Sequence, residues 1–583
     1  MTIFDFNDQD SFGAVISVDT STVIVRVDDL ERLKRIQVNR LVALQCCRPG
    51  QHLIGLITRI TRKAENDISG DDSDNELEII KLPENNLAKI SLIGTFFDRD
   101  GAKENVFRRT IDTVPEIDAY CFALEDSYLT SFMQAISNID IDGPKLALGK
   151  YTLDDGAEAY LNGNKLFQRH AIVVGGTGSG KSYTTARILD QIAQLDQANV
   201  ILFDIHGEYK PLIGDEFRHL KIAGPADVDA GKGIADNVLH LPYWLFGYEA
   251  LLALFVDRSD ANAPNQSMII SKLVTDAKRE LLSSDEHADI LSNFTIESPV
   301  PFDLSKVFSE LERLNTEMVP GSGNREKQGP YFDKLSRLIA RLDAKSNDRR
   351  LGFIFQAPEE CMGMDWLAEM IKLLLAGRGT QKDKLGGIKI IDFSEVPSDI
   401  LPLMVSLLAR VVFITNQWLT SDQRHPIALM CDEAHLYIPE RSGIDSAGAV
   451  SVCIFERIAK EGRKYGVGLV VISQRPAEVN RTVLSQCNNV IAMRLTNGDD
   501  QSVIRRLLPD SLGSFGDLLP ILDVGEALVV GDASLLPTRI RVAEPKRKPS
   551  SETIPFWTNW SEAAPKSDLK KAVRRWRRQS FQD

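Results

Sequence analysis

The sequence predicts an α/β protein: a mainly parallel, helix-covered core, with a small β-barrel before it, a helical bundle inserted into it and a C-terminal extension after it. Three observations predict this. Short apolar runs separated by turn residues fill roughly the first 150 positions. From about Arg169 strand-like runs alternate with helical stretches, the pattern of a parallel sheet. Between about residues 235 and 385 a helical period dominates. The expected segments are a barrel over 1–150, a first core part over 151–235, the helical bundle over 236–385, a second core part over 386–540 and an extension over 541–583.

In the barrel the runs are Ala14 to Val18, Thr22 to Val27, Leu53 to Ile60 and Ile90 to Phe97, with no long helical period before about Leu129. The acidic stretch from Glu65 to Glu78 reads as a solvated loop between two of these strands. In the core, Ala171 to Val174, Asn199 to Phe203, Gly387 to Ile391, Ile427 to Cys431 and Gly468 to Ile472 are continuous apolar runs, as expected of strands buried on both faces. Such a sheet places its ligands at the carboxyl ends of its strands. In the insert, Leu304, Val307, Phe308, Leu311 and Leu314 share one helix face and Phe332, Leu335, Leu338, Ile339 and Leu342 another. These stripes read as core. Strand-like runs return at Asn489 to Leu495 and Ala527 to Gly531. In the extension Phe556, Trp557 and Trp560 sit in a polar segment with little periodicity, which suggests packing on another surface.

Composition narrows the function. The chain has 583 residues and a net charge of −14, which argues against coating nucleic acid with the whole surface but leaves room for a local channel. The basic run Lys570 to Arg578 either contacts phosphates or is a solvated or partner-docking tail. Apolar runs such as Gly466 to Ile472 fall short of a membrane span. Seven cysteines with no Cys-x-x-Cys spacing, and an N-terminus without a basic or apolar leader, point to a reduced cytoplasm.

The chemistry starts at Gly175-Gly176-Thr177-Gly178-Ser179-Gly180-Lys181-Ser182, between an expected strand and an expected helix. This is a P-loop. Glycines free backbone N–H groups to face phosphate oxygens, Lys181 reaches the β/γ-phosphates and the Ser182 hydroxyl is a ligand for Mg²⁺. Candidate nucleotide contacts are Gly176, Thr177, Gly178, Ser179, Gly180, Lys181, Ser182 and Tyr183. Hydrolysis needs a group that activates water, and the run ending Cys431-Asp432-Glu433-Ala434-His435 supplies one. Asp432 is placed to hold the Mg²⁺ shell and Glu433 to orient or deprotonate water.

Gln474, at the end of the next strand, is a candidate γ-phosphate sensor. In Asp204-Ile205-His206-Gly207-Glu208-Tyr209 the carboxylates of Asp204 and Glu208 either tune Mg²⁺ or the nucleotide or, at Asp204, form a helix N-cap. The helix expected from about Val452 carries Arg457 and Arg463, either a solvated charged face or one arginine that reaches a neighbouring subunit's γ-phosphate. Their spacing points them in different directions, so at most one plays that part.

Together, DIHGEY, CDEAH and EGRKYGVGLVVISQRP resemble the HerA family of hexameric DNA-translocating ATPases, relatives of FtsK, over nearly the whole chain. The resemblance implies a RecA-like P-loop NTPase core, a homohexamer with ATP and Mg²⁺ between subunits, Glu433 as catalytic base, Gln474 as sensor, Arg169 before the P-loop strand and a trans arginine from the Arg457 to Arg463 region. It also implies a partner on the barrel: a NurA-like nuclease in end resection, or a sirtuin-like NADase or other nuclease in bacterial antiviral operons. The expected activity is ATP-driven movement on double-stranded DNA, with Arg441 and Arg481 on loops that contact phosphates. The alternative is an ATP-dependent scaffold that activates the partner. A membrane pump is disfavoured, since the sequence shows no spanning segment.

Overall fold

The computed structural model describes residues 3–46, 48, 50–64, 84–97, 106–111, 113–138, 144–152, 154–283, 287–320, 325–377, 387–508, 510–534, 536–551, 554–562 and 568–579. The chain divides into two compact units. The first comprises Met1–Leu166, Val173–Gln191 and Asn488–Pro545, and the second Phe167–Ile172, Ile192–Cys487 and Lys546–Asp583.

The first unit opens with strands β1 (Gly13–Asp19), β2 (Thr22–Arg26), β3 (Leu41–Gln45), β4 (Gln51–Ala64), β5 (Glu84–Phe97), β6 (Val106–Arg108) and β7 (Tyr120–Ala123). Six of them close into a barrel in the order β2-β1-β7-β3-β4-β5, with β5 returning to β2. Closure is possible because β5 is long: Leu87 to Ser91 pair with β2, while Thr95 to Phe97 pair with β6. Strand β4 bends to follow the barrel wall, with register shifts at Ile54/Gly55 and Ile57/Arg59. A Cβ at Gly55 would collide with Ile90, so the bend requires glycine there. Val15, Val23, Val25, Val42, Leu44, Leu53, Ile57 and Ile90 fill the interior, each such burial contributing about 1.5–3 kcal/mol.

The expected strands are present. Strands β3 and β7 were not read from the sequence, because Leu41 to Leu44 are buried without alternation and β7 has only four residues. The expected acidic loop from Glu65 to Glu78 lies outside the described residues.

After β8 (Leu146–Tyr151) and β9 (Asp154–Leu161) comes β10 (Ala171–Val174), wholly buried, followed by helix α1 (Lys181–Ile192). The second unit then supplies β11 (Val200–Asp204), β12 (Phe217–Ile222), β13 (Val238–Leu239), β14 (Ile388–Asp392), β15 (Ile427–Cys431) and β16 (Val467–Ser473). They form a parallel array in the order β13-β12-β14-β11-β15-β16. Strands β11, β15 and β16 are buried throughout, which is why they read as unbroken apolar runs. Strand β12, FRHLKI, alternates with polar residues and was missed for that reason.

The insert is helical, including Tyr248–Phe255, Ala263–Leu282, Leu304–Thr316, Ser336–Ser346 and Trp366–Leu375, with one small hairpin at Met318–Pro320 and Glu326–Gln328. Val307, Leu311, Leu335, Leu338 and Leu342 are buried on the expected faces.

Helix α2 (Leu401–Trp418) corrects the expectation that no segment is long and apolar enough to span a membrane: its mean hydropathy is 1.3 over 18 residues. It is nonetheless 67% buried within the protein, as a core helix is. Helix α3 (Ser446–Glu461) starts earlier than the sequence suggested, because the Asp445 side chain accepts the Gly448 N–H at 2.7 Å and caps it.

Strands β17 (Asn489–Ala492), β18 (Glu526–Gly531) and β19 (Thr538–Val542) complete the first unit as an antiparallel sheet, β17-β18-β19-β8-β9. From Lys546 on, the extension belongs to the second unit. Its start is pinned by Arg547, which pairs with Glu216 at 3.0 Å and lies 4.9 Å over the Phe217 ring. Its helices Phe556–Ser561 and Leu569–Arg578 leave Trp557, Trp560 and Trp576 exposed.

Candidate active site

In the first unit the phosphate loop is a product of backbone geometry. Gly178 and Gly180 have φ of +71° and +107°, conformations in which a side chain costs energy. Around Gly178 a Cβ would meet nothing within 4 Å, so that part of the loop faces open space. A Cβ at Gly175, by contrast, would collide with Ser179 Oγ and stand 2.8 Å from Met493 Cβ. The loop is tied down at both ends: the Gly176 N–H donates to Arg494 O at 2.8 Å, and the Gly525 N–H to Ser179 O at 3.0 Å.

Lys181 is buried at the first turn of α1, Ser182 and Tyr183 are half-buried beside it, and Thr177 is exposed on the loop. Ser179 Oγ is buried and has no hydrogen-bond partner among the described residues. A glycine loop open at Gly178, with a buried lysine and a buried hydroxyl that has no partner among the described residues beside the start of α1, fits a polyphosphate.

In the second unit the chemistry sits at strand ends, as a parallel sheet dictates. Asp204 closes β11 and is fully buried. Its Oδ1 accepts the Glu208 N–H and its Oδ2 the Tyr209 N–H, each at 3.0 Å. These contacts close a turn rather than cap a helix, because no helix follows Asp204. Burial pushes the Asp204 carboxyl up to about 6, opposed by those amides and helped by nearby Asp392.

At the end of β15, Asp432 and Glu433 are both buried. Glu433 is held in a left-handed conformation, φ 46° and ψ 45°, which places its side chain out of line with the strand and costs about 1 kcal/mol or more. Tyr437 fixes this turn by donating its hydroxyl to Asp432 O at 2.8 Å. The expected sensor meets the expected base: Gln474 Nε2 donates to Glu433 Oε1. His435 and Ser473, given no role from the sequence, join them. His435 Nδ1 lies 3.4 Å from Glu433 Oε2 and 3.2 Å from Ser473 Oγ. His435 was visible in CDEAH, but nothing in a linear string shows that Ser473, on the next strand, lies against it.

The loops that follow these strands are laced together. Pro439 and Val479 form an antiparallel bridge, the Glu440 N–H donates to Glu478 O at 2.8 Å and the Asn480 N–H to Ile438 O at 2.9 Å. Both arginines expected to meet DNA stand on this pair of loops. Each is exposed and each has a carboxylate partner, Arg441 with Glu456 at 2.9 Å and Arg481 with Glu440 at 3.8 Å.

The other arginines differ from one another. Arg457 is engaged within the unit, donating to Gln417 at 3.0 Å, lying 5.2 Å over the Phe413 ring and 3.7 Å from Glu461. Arg463 is exposed, past the end of α3. Arg169 is exposed and adjoins His170, a buried residue at φ 55°. His170 Nδ1 accepts the Leu469 N–H and Nε2 faces Ala459 O, both at 3.0 Å, so the ring is neutral with its proton on Nε2. Burial pushes its pKa down to about 4.

Among the described residues no group of three His, Cys, Asp or Glu could hold a metal alone.

Residues 146–412 match the family model of the central domain of helicase HerA. The DNA double-strand break repair helicase HerA of Saccharolobus solfataricus is 25% identical over 505 residues, covering 84% of both chains. That of Sulfolobus acidocaldarius is 24% identical over 421 residues, 70% of this chain and 71% of the relative. That of Pyrococcus furiosus is 38% identical over 118 residues, 20% of each chain. Among solved structures, VirB4 of Thermoanaerobacter pseudethanolicus (16% identity, 72% of this chain and 99% of that one, TM-score 0.43) is similar. So is plasmid coupling protein TrwB with a non-hydrolysable ATP analogue (13% identity, 73% and 94%, TM-score 0.45). The central domain of the chain thus matches that of helicase HerA, and its similarity to HerA helicases runs through most of its length.

Proposed function

We propose that the chain is an ATPase that works in the cytoplasm as a homohexameric ring, moves on double-stranded DNA and serves a partner effector docked on its N-terminal barrel. The observation that carries this reading is Glu433: buried, held off its strand by a left-handed backbone and gripped by Gln474, in a chain with a complete phosphate loop. Lys181 and the loop amides hold the triphosphate, and Ser182 and Asp432 hold Mg²⁺, which neutralises charge on the transferred phosphate. Glu433 takes a proton from the attacking water, and Gln474, which holds one carboxylate oxygen, senses the γ-phosphate. Asp204 shapes the loop after β11 rather than carrying a step of its own.

Arg463 is the better trans candidate, since Arg457 is already spent on Gln417, Phe413 and Glu461. Arg441 and Arg481 contact DNA phosphates by leaving their carboxylate partners. The relatives named as double-strand break repair helicases favour a partner nuclease of the NurA-like class over a sirtuin-like NADase.

The test is ATP turnover of the full chain with and without duplex DNA, together with its mass in solution. Six-fold assembly and a DNA-stimulated rate that disappears in Glu433→Gln are expected. A monomer with a full, DNA-independent rate would overturn the ring and the motor together.

A further inference from the structure

The two oxygens of the Glu433 carboxylate are treated differently. Oε1 accepts from Gln474 Nε2, whereas Oε2 is buried and finds no hydrogen-bond donor among the described residues. The group beside Oε2 is the imidazole of His435, whose side chain is 13% exposed and whose Nδ1 stands 3.4 Å away. The same Nδ1 is 3.2 Å from Ser473 Oγ. Ser473 is itself buried, and its Oγ already accepts the Arg475 N–H at 3.0 Å. A hydroxyl has one proton to donate. Given to Nδ1, that proton fixes the ring and leaves Nδ1 with nothing to offer Oε2, which therefore keeps its full capacity to accept a proton.

We propose that His435 is a positioning residue for hydrolysis. Oriented by Ser473, its ring walls Oε2 of Glu433 and keeps the carboxylate turned so that Oε2, and not the Gln474-bound Oε1, is left to accept the proton. In that step a water O–H bond breaks and its proton moves to Oε2. The water oxygen bonds the γ-phosphorus as the bond to the departing ADP oxygen breaks. His435 touches none of the reacting atoms. The inference rests on the reading of Glu433 as the base, and it adds the element that sets which oxygen acts.

The experiment compares kcat, KM for ATP and thermal midpoint of the full-length chain carrying His435→Ala, His435→Asn, His435→Gln or Ser473→Ala, with Glu433→Gln as reference. His435→Ala should lower kcat by about 10- to 100-fold, the usual effect of losing a group that orients a reacting ligand, and leave KM within about 3-fold. Asparagine branches at Cγ and puts a polar atom where Nδ1 stands, so His435→Asn should recover most of the rate. Glutamine carries its amide one carbon farther out and should not. Ser473→Ala should fall between the native chain and His435→Ala.

A native kcat in His435→Ala overturns the proposal. So does a loss equal in the alanine and asparagine variants at unchanged thermal midpoint, or one that appears in KM alone. Native hydrolysis by Glu433→Gln would instead overturn the assignment of the base, which the other arms cannot do.

Discussion

The two units carry chemistry made of different material. In the first unit the phosphate loop is backbone: glycines at positive φ, amides at a helix start and one buried lysine. In the second unit the strand ends are side-chain chemistry: Glu433, Gln474, His435 and Ser473 engage one another across neighbouring strands. A backbone site tolerates little change in residue type but is written in consecutive letters. A side-chain site is written in scattered letters, and each contact can be tuned separately.

The sharpest way to break this contrast is at Lys181, the buried side chain of the backbone-built loop. Lys181→Ala should weaken ATP binding and lower turnover together, by about 10²- to 10³-fold, the scale of losing one preorganised contact to transferring charge. Titration with a fluorescent ATP analogue beside a turnover assay checks it.

The side-chain-built unit should also feel pH through His170. Its folded pKa, about 4, lies below the ordinary histidine value. The unfolded chain therefore takes up this proton first, so stability is fully present above about pH 6.5 and is lost as pH falls toward 4. The loss amounts to as much as about 3 kcal/mol. Asp204, raised to about 6, gains stability over the same window as pH falls, so the reading is the difference in denaturation midpoint between two chains: His170→Asn, which suits the left-handed backbone and does not titrate, should lose less stability than the native chain between about pH 6.5 and 4.

Next in size, Gly178→Ala should cost about 1–2 kcal/mol through its backbone conformation alone, since nothing lies within 4 Å of the added carbon. ATP affinity should drop about 10-fold, and Gly175→Ala, which adds a collision, should be worse. Equal and negligible effects at both positions would show that loop geometry is not what holds the nucleotide.

The smallest effects belong to the laced loops. Arg441→Ala and Arg481→Ala should each lower the salt slope of duplex binding by about one, with little change in affinity at physiological salt. Each arginine that goes to a phosphate first leaves Glu456 or Glu440. Filter binding at several salt concentrations measures it.

The same contrast explains what was legible beforehand. The phosphate loop, the buried parallel strands and the strand-end positions of Asp432, Glu433 and Gln474 were readable because each is encoded in consecutive residues. Strand β12 was not, because its alternating FRHLKI reads as half-exposed. The early start of α3 was hidden by a cap that depends on the Asp445 side chain meeting the Gly448 amide. His435 and Ser473 stayed without roles because their meeting depends on the pairing of β15 with β16. The difference between Arg457 and Arg463 was likewise unreadable, since it turns on Gln417 and Phe413 from α2.

The most direct test of the central claim is a single-turnover experiment on the full-length Glu433→Gln chain with labelled ATP and Mg²⁺ in the presence of duplex DNA. ATP should bind with native affinity and remain unhydrolysed while the native chain converts it to ADP, a rate difference of about 10²- to 10⁴-fold. Conversion at the native rate would contradict the assignment of Glu433 as the group that activates water.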